Sequence, residues 1–170
     1  MRRKVTELPE TDHVAEGDTA PDFTRPLVTE EFWEDVALTD LLEDGPVLLI
    51  FHPMDRSFPT TYVYNALTDR SILSGPAQVV GLTISTPYDH ARTIEDRGIE
   101  AARGLYSDPS NEVAEEWGLA HDLDGMEGIS EPRLALYLIE PDQTVAFSWV
   151  AEAFPQFPDY DALEDALDAL

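Results

Sequence analysis

The sequence predicts a mixed α/β domain in which a central sheet is flanked by helices. Three observations carry that prediction. Two continuous apolar runs of strand length, Val47-Leu48-Leu49-Ile50-Phe51 and Val79-Val80-Gly81-Leu82-Thr83-Ile84, read as strands buried on both faces of a sheet. Helical patterns separate and follow them. Two further strand-like runs, Leu134 to Ile139 and Val145 to Val150, are joined by the turn signal Pro141-Asp142-Gln143 and read as a hairpin. Parallel strands joined by helices and followed by an antiparallel pair give three layers around a mixed sheet.

The elements follow in chain order. Residues 1–16 are expected to form an extended N-terminal arm, with a single domain over residues 17–170. Phe23 to Val28 reads as a short strand that turns in the acidic Thr29–Asp35 region and returns through Val36-Ala37-Leu38. Thr39 is placed to cap a brief helix, Asp40–Leu42, stopped by Gly45-Pro46. Beyond the first apolar run, Pro53 to Pro59 is a loop, and a helix is expected from Thr60 to about Leu73 with Val63, Ala66 and Leu67 on its buried side. A second helix is expected from Pro87 to Gly98, a short strand at Leu105-Tyr106, and a third helix from Ser107-Asp108-Pro109 to Gly118. Residues 119–131 read as an acidic loop, and Tyr160, Leu163, Ala166, Leu167 and Leu170 mark a last helix with Asp159 as its cap. The outline is that of a thioredoxin-like fold with an N-terminal strand extension.

Composition narrows the function. The chain has 170 residues, 10 Lys+Arg against 35 Asp+Glu, and a formal charge of −25. Such a surface repels phosphate, which argues against nucleic acid and anionic membranes as partners. No stretch approaches the roughly 20 apolar residues of a membrane helix. Arg2-Arg3 is not followed by an apolar segment, so no export signal is expected and the cytoplasm is the expected location. Apolar residues make up 43% and come in organised runs, which favours a folded domain over disorder. Nine Arg and a single Lys, Lys4, with acids spread along the whole chain, suit a halophilic protein kept soluble in concentrated salt. An acidic face for a basic partner is the competing explanation. There is no Cys, which removes disulfides, thiolate metal sites, Fe–S clusters and thiol catalysis.

Six short segments, in order and well spaced, resemble peroxiredoxins of the AhpC/TSA group across nearly the whole chain. They are Gly17-Asp18-Thr19-Ala20-Pro21-Asp22-Phe23, Leu38-Thr39-Asp40-Leu41, Phe51-His52-Pro53-Met54-Asp55, Gly81-Leu82-Thr83-Ile84-Ser85, Leu105-Tyr106-Ser107-Asp108-Pro109 and Ile139-Glu140-Pro141-Asp142. The resemblance implies a thioredoxin-type fold and an antioxidant oxidoreductase ancestry. Its chemistry needs a cysteine thiolate on the first turn of the helix after P-x-D, in the pattern P-x-x-x-T-x-x-C. Here that pattern reads Pro53, Ser57, Thr60, so Thr60 stands at the peroxidatic cysteine position.

Threonine cannot replace the thiol. A thiol starts near pKa ~8.5 and falls by several units in such a pocket, whereas an alcohol starts far higher. The reaction is also an oxidation at sulfur, with no equivalent at a hydroxyl oxygen. Thiol peroxidase activity is therefore not expected. The resemblance places an arginine six residues before the acid that ends the strand. Arg133 stands seven before Glu140, and Leu134 fills the six-back place. A one-residue slip turns a side chain to the other face unless a bulge at Pro132 absorbs it, and Arg56 in the loop is the alternative cation.

Two readings follow. In the first, the protein works by binding: a small anion or peroxide at Ser57, Thr60 and Thr61 with Arg56 or Arg133, a second copy in a homodimer, or an active peroxiredoxin. In the second, the same helix N-terminus supports an enzyme of non-thiol chemistry. The plainer reading of Ser57, Thr60 and Thr61 is helix capping. No cofactor is implied and no metal site is assigned. His121-Asp122-Leu123-Asp124-Gly125 is only a fragment of a calcium loop, and His52 beside Pro53 is read as a structural hydrogen-bonding group. The apolar stretch Phe154-Pro155-Gln156-Phe157-Pro158 is the first candidate for a dimer contact.

Overall fold

The computed structural model describes residues 5–121 and 126–170. In chain order the elements are β1 (Thr6–Glu7), β2 (Thr24–Val28), β3 (Trp33–Ala37), α1 (Leu38–Leu42), β4 (Val47–Phe51), α2 (Phe58–Asp69), a 3-10 turn at Ile72–Ser74, β5 (Gln78–Thr83), α3 (Pro87–Arg97), β6 (Gly104–Ser107), α4 (Glu112–Glu116), β7 (Ala120–His121), β8 (Glu131–Pro132), β9 (Ala135–Ile139), β10 (Val145–Val150), β11 (Ala153–Phe154) and α5 (Tyr160–Asp168). The main sheet has seven strands in the order β10-β9-β4-β5-β6-β2-β3. Strands β4, β5 and β6 run parallel, and β9, β10, β2 and β3 join antiparallel. This is a thioredoxin-like fold.

The two apolar runs occupy the centre because every residue of β4 is buried, which only a strand covered on both faces allows. One face, with Val47, Leu49, Phe51 and Tyr137, packs on the indole of Trp117, whose ring lies 5.1 Å from Phe51 and 4.9 Å from Tyr137. The other, with Leu48, Ile50, Leu134, Leu136 and Leu138, packs on Val63, Tyr64 and Leu67 of α2 and Leu163 of α5. Burying each large side chain contributes about 1.5–3 kcal/mol, so this sandwich is the main source of stability.

Three local details depart from the sequence reading. Helix α2 begins two residues earlier than expected, at Phe58, which makes Thr60 its third residue. Thr39 lies inside α1 rather than capping it; the Asp40 carboxylate accepts from the Ala37 N–H at 3.2 Å, and Asp22 holds the Thr39 N–H and hydroxyl. The third helix is shorter than expected, because Asp108 caps the Val113 N–H from five residues back. Elsewhere the arm runs along the domain. Its β1 pairs with β11, and Val14 N–H donates to the Trp117 carbonyl. Gly118, at φ +75°, lets the arm pass: a Cβ there would meet the Asp12 carbonyl oxygen at 2.6 Å. Residues 122–125, within the fragment resembling a calcium loop, lie outside the described residues. Among the described residues no helix is long and apolar enough to cross a membrane.

Candidate functional site

The candidate site is the loop from His52 to Ser57 and the first turn of α2. The chain arrives from β4, the most buried strand, and must turn into α2 while leaving few polar groups unmatched. Ser57 occupies the N-cap position, yet its hydroxyl caps no backbone N–H. It contacts the Thr60 hydroxyl at 2.9 Å instead. Thr61 also turns its hydroxyl back, toward the Ser57 carbonyl at 3.3 Å. The capping explanation of these hydroxyls therefore gives way to a network across the loop.

Thr60 is 0% exposed. Its proton is shared between the carbonyls of Pro53 at 3.0 Å and Met54 at 3.2 Å, so Ser57 is the donor in their contact. His52 lies behind it, with Nδ1 2.7 Å from the Pro53 carbonyl and 3.3 Å from Thr60 Oγ1. Burial holds the His52 pKa down to about 4, so the ring is neutral near pH 7. A carbonyl only accepts, so the ring proton sits on Nδ1, and Nε2 accepts from the Tyr64 hydroxyl at 3.0 Å. Burial pushes the Tyr64 phenol well up, which keeps that donor protonated.

The rest of the loop is held from α3 and from β8. Asp55 Oδ2 meets His90 Nδ1 at 2.7 Å and the Thr93 hydroxyl at 2.8 Å. Burial alone would raise the Asp55 pKa, but the hydrogen bond and charge of His90 outweigh it and hold the carboxyl below its ordinary value. His90 Nε2–H donates to the Tyr106 carbonyl at 2.9 Å. The Asp55 N–H donates to Ser85 Oγ at 3.1 Å, and Arg97 bridges the Asp55 carbonyl at 2.7 Å and the Thr61 hydroxyl at 2.8 Å. Buried Glu131 accepts from the Met54 N–H at 2.8 Å.

Of the candidates from sequence, Pro53, Ser57 and Thr60 therefore meet in one cluster, with Thr61 tied to it through Arg97. Arg56 does not join them. It is largely exposed and pairs with Asp96 at 3.1 Å. Arg133 does not join them either. Extending the antiparallel register Ile50↔Leu136 and Phe51↔Ala135 by one step sets His52 opposite Leu134. Leu134 thus shares the face of His52 and α2, and Arg133 belongs to the face of Ala135 and Tyr137. Its guanidinium donates to the carbonyls of Ala151 at 3.3 Å and Pro9 at 3.0 Å. The β4–β9 register from Ala135 to Ile139 is regular, and the slip is not absorbed there. Sequence reasoning missed Ser85, His90, Thr93, Arg97 and Glu131. A signal existed for three of them: His90, Thr93 and Arg97 fall at i, i+3 and i+7, a polar stripe where a helix presents one face.

A thioredoxin-like sheet whose central strand β4 runs through Pro53-Met54-Asp55 into helix α2 is the arrangement that the sequence resemblance implies. The AhpC/TSA family model matches residues 16–148, and the chain belongs to that family. It is 27% identical over 141 residues to the chloroplastic 2-cysteine peroxiredoxin of Chattonella marina var. antiqua, covering 79% of this chain and 69% of that protein. Its structure is similar to that of peroxidoxin BcpB from Mycobacterium tuberculosis, with a TM-score of 0.73, 26% identity, and 93% and 99% of the two chains covered. The thiol peroxidase from Chromobacterium violaceum shares the fold at a TM-score of 0.74 and 22% identity, over 93% and 88% of the chains.

Proposed function

We propose that this member of the AhpC/TSA family works by binding rather than by thiol peroxidase turnover. The observation that supports this best is the state of Thr60: it carries a hydroxyl where the chemistry needs sulfur, and that hydroxyl is buried and fully engaged. The alternative, an enzyme of non-thiol chemistry at the same helix start, lacks a base. The nitrogen of His52 that faces Thr60 carries the ring proton, and the free lone pair is turned to Tyr64. Among the described residues no guanidinium bonds to Thr60.

The binding surface we assign is aromatic and adjoins the loop. Phe58 and Tyr62 of α2 lie 6.2 Å apart; Phe58 meets Phe154 at 6.2 Å and Tyr62 meets Phe157 at 5.6 Å. Tyr62 is 58% exposed and Phe157 40%, so the cluster presents apolar rings to solvent on a highly charged protein. A second copy of the chain is the partner this surface suits, because a ring cluster can bury itself against its own image in a two-fold contact.

Two measurements test the reading. Dithiol-dependent peroxide consumption by the purified protein is expected to match a protein-free control, and reproducible turnover overturns the proposal. Sedimentation is expected to give a dimer that becomes a monomer in Tyr62→Ser/Phe157→Ser, and an unchanged mass in that variant removes the surface from the account.

A further inference from the structure

A second site lies away from the Thr60 loop and does not depend on the reading above. Arg133 is 3% exposed, yet among the described residues no carboxylate comes within ion-pairing distance of it. In a chain with 35 acids an unpaired buried guanidinium is unexpected, since an uncompensated buried cation loses its hydration with nothing in return. Two of its N–H groups reach the carbonyls of Pro9 and Ala151, and its buried Nε–H has no acceptor. Arg133 also forms part of the wall of a cavity of about 590 Å3 between the arm and the segment from Val150 to Gln156. The same cavity is lined by Glu7, Glu10 and Glu152, all exposed.

This combination selects a chemical class. A planar guanidinium with unused donors matches a carboxylate in two-point geometry. A ligand with net negative charge is disfavoured by the field of a chain at −25. A ligand whose charges cancel escapes that repulsion and can place its cationic end among the three glutamates. We propose that the cavity binds an amino-acid-type zwitterion, its carboxylate on Arg133 and its ammonium group at the rim formed by Glu7, Glu10 and Glu152.

The test uses calorimetry on the full chain with L-alanine, acetate and ethylammonium as probes. Saturable binding of L-alanine is expected at about millimolar Kd, at least about tenfold tighter than acetate, with ethylammonium weaker still. Arg133→Met is expected to abolish it, and Glu152→Gln to narrow the gap between L-alanine and acetate. Should Arg133→Met fail to fold, amide shifts on the unmodified protein answer the question: L-alanine is expected to move Leu8, Ala151 and Glu152. Absent binding of L-alanine overturns the proposal, as does acetate binding of equal strength, affinity retained in Arg133→Met, or shifts confined to another region. In any of those cases Arg133 is an anchor for the arm and nothing more.

Discussion

The Thr60 loop and the Arg133 cavity lie on opposite faces of the same strand pair, and they treat polar groups in opposite ways. Around Thr60, hydroxyls, two imidazoles and a carboxylate close on one another, with Asp55 Oδ1 the one orphan of that group. Around Arg133 a full charge closes on two carbonyls and keeps an unmatched donor. One step of strand register separates them: Leu134 faces the loop and Arg133 faces away. A hydroxyl at position 60 and a cation on the other face are thus two independent differences from the pattern that the resemblance implies.

The largest expected effect follows from that independence. Thr60→Cys alone is expected to consume peroxide slowly, because no guanidinium bonds at position 60 and Arg97 is tied to the Asp55 carbonyl and the Thr61 hydroxyl. Adding Leu134→Arg returns a cation to the correct face and is expected to raise the rate about 10²–10³-fold, the size associated with one well-placed charge-stabilising donor. Arg133→Met in the Thr60→Cys background is expected to leave the rate unchanged. Stopped-flow peroxide consumption checks all three. Equal rates for the single and double variants contradict the assignment of faces.

The second effect concerns His52. Its pKa is about 4 in the folded protein against 6.5 for the free side chain, so between those values the unfolded chain binds the extra proton. Stability from this group is complete above about pH 6.5 and is lost progressively as pH falls toward 4, by roughly 3 kcal/mol in all. Asp55 acts in the same direction at lower pH. Its depressed pKa contributes stability that is lost as pH falls below the ordinary carboxylate range. Denaturant unfolding from pH 7 to 4 is expected to show the decline, and His52→Gln to flatten its upper part.

These effects also mark what the sequence could and could not reveal. The central strands were legible because Val47–Phe51 is apolar without interruption, and only burial on both faces explains that. Thr60 was legible through its distance from Pro53. The orientation of Arg133 was not, because it depends on long-range pairing, of Pro132 with Ala120 of β7 and of the strand beyond it with β4, and not on local propensity. His90, Thr93 and Arg97 escaped notice for a related reason. A polar stripe on a helix usually faces water, and only the arrival of Asp55 from a loop 35 residues earlier makes this one an inner face.

The smallest effect isolates the floor of the loop network. Gly81 sits in β5 with ordinary strand geometry, so its missing side chain is a matter of space rather than backbone conformation. A Cβ there would overlap the Tyr64 hydroxyl and approach His52 Nε2 at 2.9 Å and Leu105 Cδ2 at 2.7 Å. Gly81→Ala is expected to cost about 2 kcal/mol, within the usual range for overpacking a filled core. Tyr64→Phe removes the hydroxyl and leaves His52 Nε2 without its donor, at about 1–2 kcal/mol. In the double variant the methyl occupies the space the hydroxyl vacates, so the combined loss is expected to fall short of the sum by about 1 kcal/mol. Additive losses in the denaturant cycle would place the Tyr64 hydroxyl away from Gly81. The Nδ1–H form of His52 does not hang on that outcome, because the Pro53 carbonyl alone requires it.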